Sequence, residues 1–437
     1  MLLLHPTHRI MSRFISFLTV LTCIILLIDT YGYFGIRQLT SNMEDGWRRI
    51  CRWAWWLPTF VTLGLFAYSI IIFDVDMQMR NSKFMYFVTG FSTLFLITKS
   101  VFLIFHSADD IVHIGRWLFY RIRPSAAGDP AERMTRLQFF NQVGLGAGAL
   151  AFGSMLYGVT RGKYAFRILA EKIGFADLPV SFQGFRIVQI SDAHLGSFLD
   201  NSFEEVQSAI TMINDLDPDI IVFTGDMVNN YATEAEPWIP YFQQLKAKYG
   251  KYSILGNHDY ADYVYDSDVP EQEELRSQNL DRLKAIQKEM GFRLLLNEHV
   301  KIQVNNDFIV LAGVENWGRN RFSKYGILSK ALAGTNATDF KVLLSHDPTH
   351  WEDHVMGKEP VHLTFSGHTH GAQFGLESPM LNIKISPSPF FGYKRWAGLY
   401  NENNQFLYVN RGFGFLGFPG RVGMPPEITL VELEQKA

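Results

Sequence analysis

The chain predicts an all-α transmembrane region of about four helices, followed by an α/β domain of two packed mixed β-sheets flanked by helices. Three observations predict this. Apolar residues make up 47% of the 437 positions but are unevenly spread, with the first third carrying long apolar runs. From Phe185 onward, short apolar runs alternate with helical patterns. Five of those runs end abruptly in turns that offer Asp, Asn or His.

The membrane third reads in order as four spans. Phe14 to Gly35 is apolar apart from Asp29, and it is followed by further apolar segments rather than a small-residue cleavage site, so it reads as a retained span. Trp53 to Phe73 follows, with Trp53, Trp55 and Trp56 placed as interfacial anchors. Phe84 to Phe105 contains Lys99, which either snorkels to the interface or faces a partner helix. Phe139 to Val159 is weaker, but the small residues of Val143-Gly-Leu-Gly-Ala-Gly-Ala favour close helix packing; a Gly-rich linker or a remnant of an export signal is the competing reading. The loops after the first and third spans carry the heavier positive charge (Arg37, Arg48, Arg49, Arg52; Arg116, Arg121, Arg123, Arg133, Arg136). The N-terminus offers Arg9 and Arg13, and the second loop Arg80 and Lys83. This bias places the N-terminus and the large C-terminal domain outside, although Arg161, Lys163, Arg167 and Lys172 oppose it.

Residues 1–160 are therefore expected to form the membrane region, 161–184 a linker and 185–437 the α/β domain. Strands are expected at Arg186–Ile190, Asp219–Thr224, Tyr252–Leu255, Phe308–Ala312, Lys341–Leu344, His362–Ser366, Phe406–Val409 and Ile428–Leu433. Helices are expected at Ser202–Leu216, Trp238–Tyr249 and Gln272–Met290. Runs such as Ile220-Ile-Val-Phe are apolar on both faces, as buried strands require. A net charge of -3 gives no basic surface for nucleic acid. Two cysteines, Cys23 and Cys51, lie in or beside apolar segments and imply neither disulfides nor a thiolate metal site.

The five turns are Ile190-Ser-Asp192-Ala-His194, Thr224-Gly225-Asp226, Leu255-Gly256-Asn257-His258-Asp259, Leu344-Ser-His346-Asp, and Ser366-Gly-His368-Thr-His370-Gly. Singly, Asp192 reads as a helix N-cap and Asn257 as a turn residue. Jointly they supply seven oxygen and neutral nitrogen ligands, a mixture that suits Mn, Fe or Zn and not the all-oxygen sets of Ca or Mg. Seven ligands are too many for one tetrahedral ion and fit two ions sharing a carboxylate, a device of phosphate ester hydrolysis.

With those motifs in that order, Phe185 to Glu434 resembles the calcineurin-like metallophosphoesterases, and most nearly their membrane-anchored bacterial phosphodiesterases, including those acting on UDP-2,3-diacylglucosamine. Tyr408-Val-Asn-Arg-Gly-Phe-Gly and Pro425-Pro-Glu-Ile add to the likeness. The resemblance implies the αββα fold and a bacterial inner membrane, with the catalytic domain on the periplasmic side. It implies two divalent ions: Asp192, His194 and His370 on the first, Asn257, His346 and His368 on the second, and Asp226 bridging. It further implies in-line attack on phosphorus by a hydroxide between the ions, with His258 as general acid. Asn229 stands where the family often has an Asp that orients the catalytic His; an amide oxygen stabilises imidazolium less than a carboxylate does. Asn229-Asn230-Tyr231 also replaces the Asp-Arg-Gly of protein Ser/Thr phosphatases, which argues against a phosphoprotein substrate, and Ala372 replaces a family Gly.

Around the motifs, Tyr260 to Glu274 reads either as a solvated insertion or as a wall of the cleft. Phe374–Trp396 and Arg411–Arg421 are dense in aromatics and read either as contacts for acyl chains and the bilayer or as mutual packing. Arg411 and Arg421 are candidates for a second phosphate. The reading that follows is a membrane-bound phosphodiesterase or pyrophosphatase acting on a lipid or lipid-linked substrate. Two readings compete with it: a tethered phosphatase or phosphodiesterase for a soluble ester, and a metal-stabilised binding or sensor module without catalysis.

Overall fold

The computed structural model describes residues 6–73, 83–122, 130–198, 202–266, 268–319, 322–381 and 383–436. Of the charges weighed for orientation, Arg80 and Arg123 lie outside the described residues. The chain divides into two compact units, 1–159 and 160–437.

The first unit is built from α1 (Pro6–Leu39), α2 (Asp45–Phe73), α3 (Lys83–Ile122) and α4 (Pro130–Thr160). All four are long and apolar enough to cross a membrane. The fourth, the weakest by sequence, spans Arg136–Thr160 by this criterion. Its glycines explain how it packs: a side chain at Gly144 would press on Phe105 and on the Phe102 carbonyl of α3. Lys99 does not snorkel. Its ammonium sits 2.8 Å from the buried carboxylate of Asp29 on α1, and it donates to Thr59 Oγ1 of α2 at 2.9 Å. Thr59 in turn donates to Asp29, and Trp55 Nε1 donates to the Asp29 carbonyl at 3.0 Å. Three helices are thus pinned through one satisfied polar cluster.

The second unit is a two-sheet sandwich. One sheet contains β1 (Arg167–Phe175), β2 (Phe185–Ile190), β3 (Ile220–Phe223), β4 (Lys251–Ser253), β5 (Phe292–Leu294) and β14 (Glu427–Gln435), in the order β1-β14-β2-β3-β4-β5. The other contains β6 (Glu298–Val304), β7 (Asp307–Gly313), β8 (Lys341–Leu344), β9 (Leu363–Ser366), β12 (Gly398–Glu402) and β13 (Gln405–Val409), in the order β12-β13-β9-β8-β7-β6. A short antiparallel hairpin, β10 (Leu376–Ser378) and β11 (Ile383–Ile385), stands apart from both sheets. Helices α5 (Phe203–Asp215), α6 (Ile239–Phe242) and α7 (Pro270–Glu289) complete the unit.

Alternation along the strands builds the layers. Ile187 and Val222 point between the sheets with Leu311, Val342 and Phe365, while Val188 and Ile221 point outward under Ile210 and Ile213 of α5 and Ile286 of α7. Each such fully buried side chain contributes roughly 1.5–3 kcal/mol. On the far side Leu343 and Val409 pack with Trp351 and Val355.

Two expectations change. The connector expected over 161–184 contains β1, which runs parallel to β14 from Arg167↔Glu427 to Phe175↔Gln435. β1 satisfies the otherwise open edge of β14, and its sequence signal is faint because only Ile173 and Phe175 are fully buried. The helix expected over Trp238–Tyr249 is only the single turn α6. Beyond it, Asn214 accepts from Lys246 N and donates to the Gln244 carbonyl, and Tyr249 N donates to Asp219 O at 2.7 Å. Docking onto the entry to β3 replaces the helical bonds.

Candidate metal centre

β2, β3 and β4 run parallel in one sheet, and β8 and β9 run parallel in the other. Their carboxyl ends open on one rim, the usual place for a site in α/β folds. Five turns leave that rim. The first carries Asp192 and His194, the second Asp226, the third Asn257 and His258, the fourth His346, and the fifth His368 and His370.

The turns are sharp enough to force unusual backbone. Asp192, His194, Asp226, His368 and His370 all have positive φ, between 44° and 70°. Non-glycine residues in this region are strained and cluster at functional sites. Cross-turn bonds hold them: Asp192 N donates to Gly225 O at 2.9 Å, and His194 N to Asp226 O at 3.1 Å. Gly225 (φ 91°) and Gly367 lie so close to the neighbouring turns that a side chain at the first would strike the Gly256 backbone, and at the second Asp192 Oδ2. Asp259 clamps the second and third turns together, accepting from Asp226 N at 2.9 Å, Met227 N at 2.8 Å and Gly256 N at 2.9 Å. It stands inside the sequence motif, yet nothing in the sequence announces this clamp.

The structure brings all seven candidate ligands together. Among the described residues, two groups of three converge: Asp192, His194 and His370, and Asp226, His346 and His368, each with its ligand atoms within 4.8 Å of one another. In the first group, His194 Nε2 is 3.0 Å from His370 Nε2, which is 3.3 Å from Asp192 Oδ1. In the second, His346 Nε2 is 3.2 Å from Asp226 Oδ2, 3.2 Å from His368 Nδ1 and 3.1 Å from Asn257 Oδ1. The same oxygen, Asp226 Oδ2, also lies 3.6 Å from His194 Nε2, so it faces both groups.

Electrostatics tests whether cations fit. Burial holds His194 at about 3 and His370 well below the ordinary imidazole value, leaving both neutral with lone pairs to offer. Burial also lifts Asp192 to about 7, against the pull of His346. Burial opposes charge on Asp226, but the surrounding imidazoles, His346 foremost, outweigh it and hold the carboxyl well below its usual range. Burial likewise opposes charge on His346, and Asp226 overrides it, raising that imidazole. Neutral nitrogens and buried carboxylate oxygens aimed at two points fit a pair of divalent ions and suit nothing apolar.

His258 lies beside the ligands without joining them. Its backbone N donates to Asp226 Oδ1 at 2.9 Å, and its Nδ1–H donates to the backbone carbonyl of Asn229 at 2.7 Å. The backbone of Asn229 thus orients the ring, not its amide; Ser197 donates to Asn229 Oδ1. The missing family Asp is replaced by a carbonyl that any residue supplies.

A cleft of about 700 Å³ opens over the centre, lined by Asp226, Asn257, His258, His368 and His370 and walled by Tyr263, Phe322, Phe391, Tyr393 and Leu416. Tyr263, from the acidic loop, is a wall residue and accepts from Asn257 Nδ2 at 2.8 Å. Tyr393 Oη lies 2.6 Å from His368 Nε2. Arg319 also lines the cleft, held by Asp353 and Glu352. Neither Arg411 nor Arg421 does. Arg411 is buried and engaged by Glu427 at 2.6 Å and Glu377 at 2.9 Å. Arg421, also buried, donates to Gly414 O at 2.7 Å and lies 3.3 Å from His370 Nδ1. Both guanidiniums are spent on the protein, which is why they cannot serve as the phosphate contacts the sequence suggested. Sequence reasoning missed Arg319, Phe322 and Thr349, which reach the cleft from outside the motifs.

Comparison with known proteins agrees with this geometry. The family described as "Calcineurin-like phosphoesterase" matches residues 185–372, and "Probable Calcineurin-like phosphoesterase, transmembrane domain" matches 12–163. An uncharacterised metallophosphoesterase of Bacillus subtilis, YkuE, is 31% identical over 69% of this chain and 99% of its own length. The transmembrane protein with metallophosphoesterase domain of Danio rerio is 30% identical over 64% of this chain, which spans 60% of that relative. The UDP-2,3-diacylglucosamine pyrophosphatase LpxG of Chlamydia trachomatis is 30% identical over 58% of this chain and 86% of its own length. With its membrane helices and its converging His and Asp side chains, the chain belongs to the calcineurin-like metallophosphoesterases and is a membrane-anchored, metal-dependent phosphoester hydrolase.

Proposed function

We propose that the catalytic unit hydrolyses a phosphodiester or pyrophosphate bond in a lipid or lipid-linked substrate. Asp192, His194 and His370 hold one divalent ion, Asn257, His346 and His368 the other, and Asp226 stands between them. The observation that carries this reading is Asp226 Oδ2, placed 3.6 Å from His194 Nε2 and 3.2 Å from His346 Nε2. When bound, such ions supply Lewis acidity toward phosphoryl oxygens and lower the pKa of coordinated water. The donor set favours Mn, Fe or Zn.

The protein's own part is positional. His258 is aimed by the Asn229 carbonyl at its Nδ1, which leaves Nε2 to carry the proton delivered to the leaving oxygen. Tyr263, Phe322, Tyr393 and Leu416 exclude water from one side of the cleft. Support for a lipid-linked pyrophosphate comes from the membrane helices, from these apolar walls and from the likeness to LpxG. The charge bias of the loops supports an outward-facing catalytic unit.

The test is hydrolysis of bis-p-nitrophenyl phosphate by full-length protein. Asp226→Ala is expected to abolish turnover, and His258→Gln to lower kcat about 10²–10⁴-fold while metal content is retained. Full activity in either variant contradicts the reading.

A further inference from the structure

The hairpin after the last motif exposes apolar side chains in a way the rest of the catalytic unit does not. Among the described residues from Thr160 onward, twelve large apolar side chains are exposed, and six lie between 376 and 391: Leu376, Met380, Leu381, Ile385, Phe390 and Phe391. Met380 is 90% exposed and Phe390 92%. By contrast Phe413 and Phe415, from the other aromatic-rich stretch, are buried in the core. So the two stretches that look alike in sequence part company: one packs and the other projects.

The projection is rigid. Glu377 of β10 is gripped by the buried Arg411 at 3.0 and 2.9 Å. Gly375 N donates to Val422 O at 3.0 Å, Ser386 Oγ to Gly371 O at 2.8 Å, and Lys384 Nζ to Ala397 O at 2.5 Å. These bonds fix the base of the excursion. A patch of this density on a water-facing surface marks a docking site.

We infer that this surface, with Phe390 and Met380 as its most exposed side chains, inserts into the acyl region of the lipid bilayer and feeds the cleft from the membrane plane. Three observations select lipid over a protein partner. The catalytic unit is tied to a bilayer by its own spans: α4 ends at Thr160, and four residues on Tyr164 already packs against the core of the catalytic unit. The patch is continuous with the cleft, because Phe391, Gly392 and Tyr393 line it and Tyr393 Oη touches His368. The exposed Lys394 stands next to those residues, where an anionic headgroup would meet it. The inference rests on the proposed function only for what the surface delivers, not for the insertion itself.

The test uses the full chain in nanodiscs of phosphatidylcholine and phosphatidylglycerol. Phe390→Cys is labelled with an NBD fluorophore in a Cys23→Ser, Cys51→Ser background, and the discs contain acyl-chain nitroxide lipid. Strong quenching of this label is expected, at least fivefold more than for the same label at Leu275→Cys on α7, with hydrolysis of bis-p-nitrophenyl phosphate within twofold of the parent for both. Equal, weak quenching at the two positions overturns the inference, as does burial of the Phe390 label against a second copy of the chain, seen as concentration-dependent pairing in detergent. Quenching together with failure to hydrolyse UDP-2,3-diacylglucosamine in the same discs upholds the surface and removes only that substrate.

Discussion

The membrane unit buries Asp29 and Lys99; the catalytic unit buries Asp192 and Asp226. In the first, the carboxylate meets an ammonium at 2.8 Å, Thr59 bridges the two, and Trp55 donates to the neighbouring carbonyl. In the second, His346 pairs with Asp226 at 3.2 Å and is raised by it, while burial drives His194 and His370 toward neutrality and lifts Asp192. One cluster carries its own counter-charge and locks helices together. The other closes only in part: His346 answers Asp226, while the lone pairs of neutral His194 and His370 are left for a ligand from outside. A buried polar cluster therefore reads as structural or functional according to whether its charges close among themselves.

The largest expected effect separates the two clusters outright. Chelation should abolish hydrolysis and lower the stability of the catalytic unit by about 4 kcal/mol or more, if ions are normally present near 1,000-fold above their Kd. The helical bundle should unfold at the same denaturant concentration with or without chelator. Differential scanning calorimetry with EDTA, followed by repletion with Mn or Zn, checks both halves. Equal destabilisation of the two units would erase the distinction.

A smaller effect is expected in the bundle. Asp29→Ala leaves Lys99 buried and alone and should cost about 3–5 kcal/mol of bundle stability, read by SDS titration of helicity. Asp29→Leu with Lys99→Met should cost less than the single change, because no unpaired charge remains. Thr59→Val should be milder again, about 1–2 kcal/mol. Turnover of a soluble diester should stay within twofold throughout. A bundle indifferent to Asp29→Ala would mean that the cluster is not closed as described.

Much of the catalytic unit was legible because its chemistry sits in short motifs at strand ends. Asp192, His194, Asp226, Asn257, His346, His368 and His370 each follow an apolar run by a few residues, and the order of their motifs carried the family resemblance that implies they converge. The walls of the cleft were legible only in part: a wall was one reading of the Tyr260 to Glu274 loop, and it supplies Tyr263. Tyr393 and Phe322 reach the centre through tertiary folding of loops with no periodic signal. Arg411 and Arg421 misled because a guanidinium near a motif looks the same in sequence whether it faces a substrate or a buried glutamate. β1 escaped notice because an edge strand needs only a few buried side chains. In the membrane unit the spans were plain, but the pairing of Lys99 with Asp29 joins residues seventy positions apart, and the sequence left snorkelling open.

The central claim is that the rim turns converge to hold two divalent ions. The most direct measurement is metal content per chain, by inductively coupled plasma mass spectrometry, on folded full-length protein. Two ions per chain are expected in the parent, one in His370→Ala or His346→Ala, and fewer than one in Asp226→Ala. A parent that binds one ion or none under saturating Mn or Zn, or variants that keep both, would contradict it.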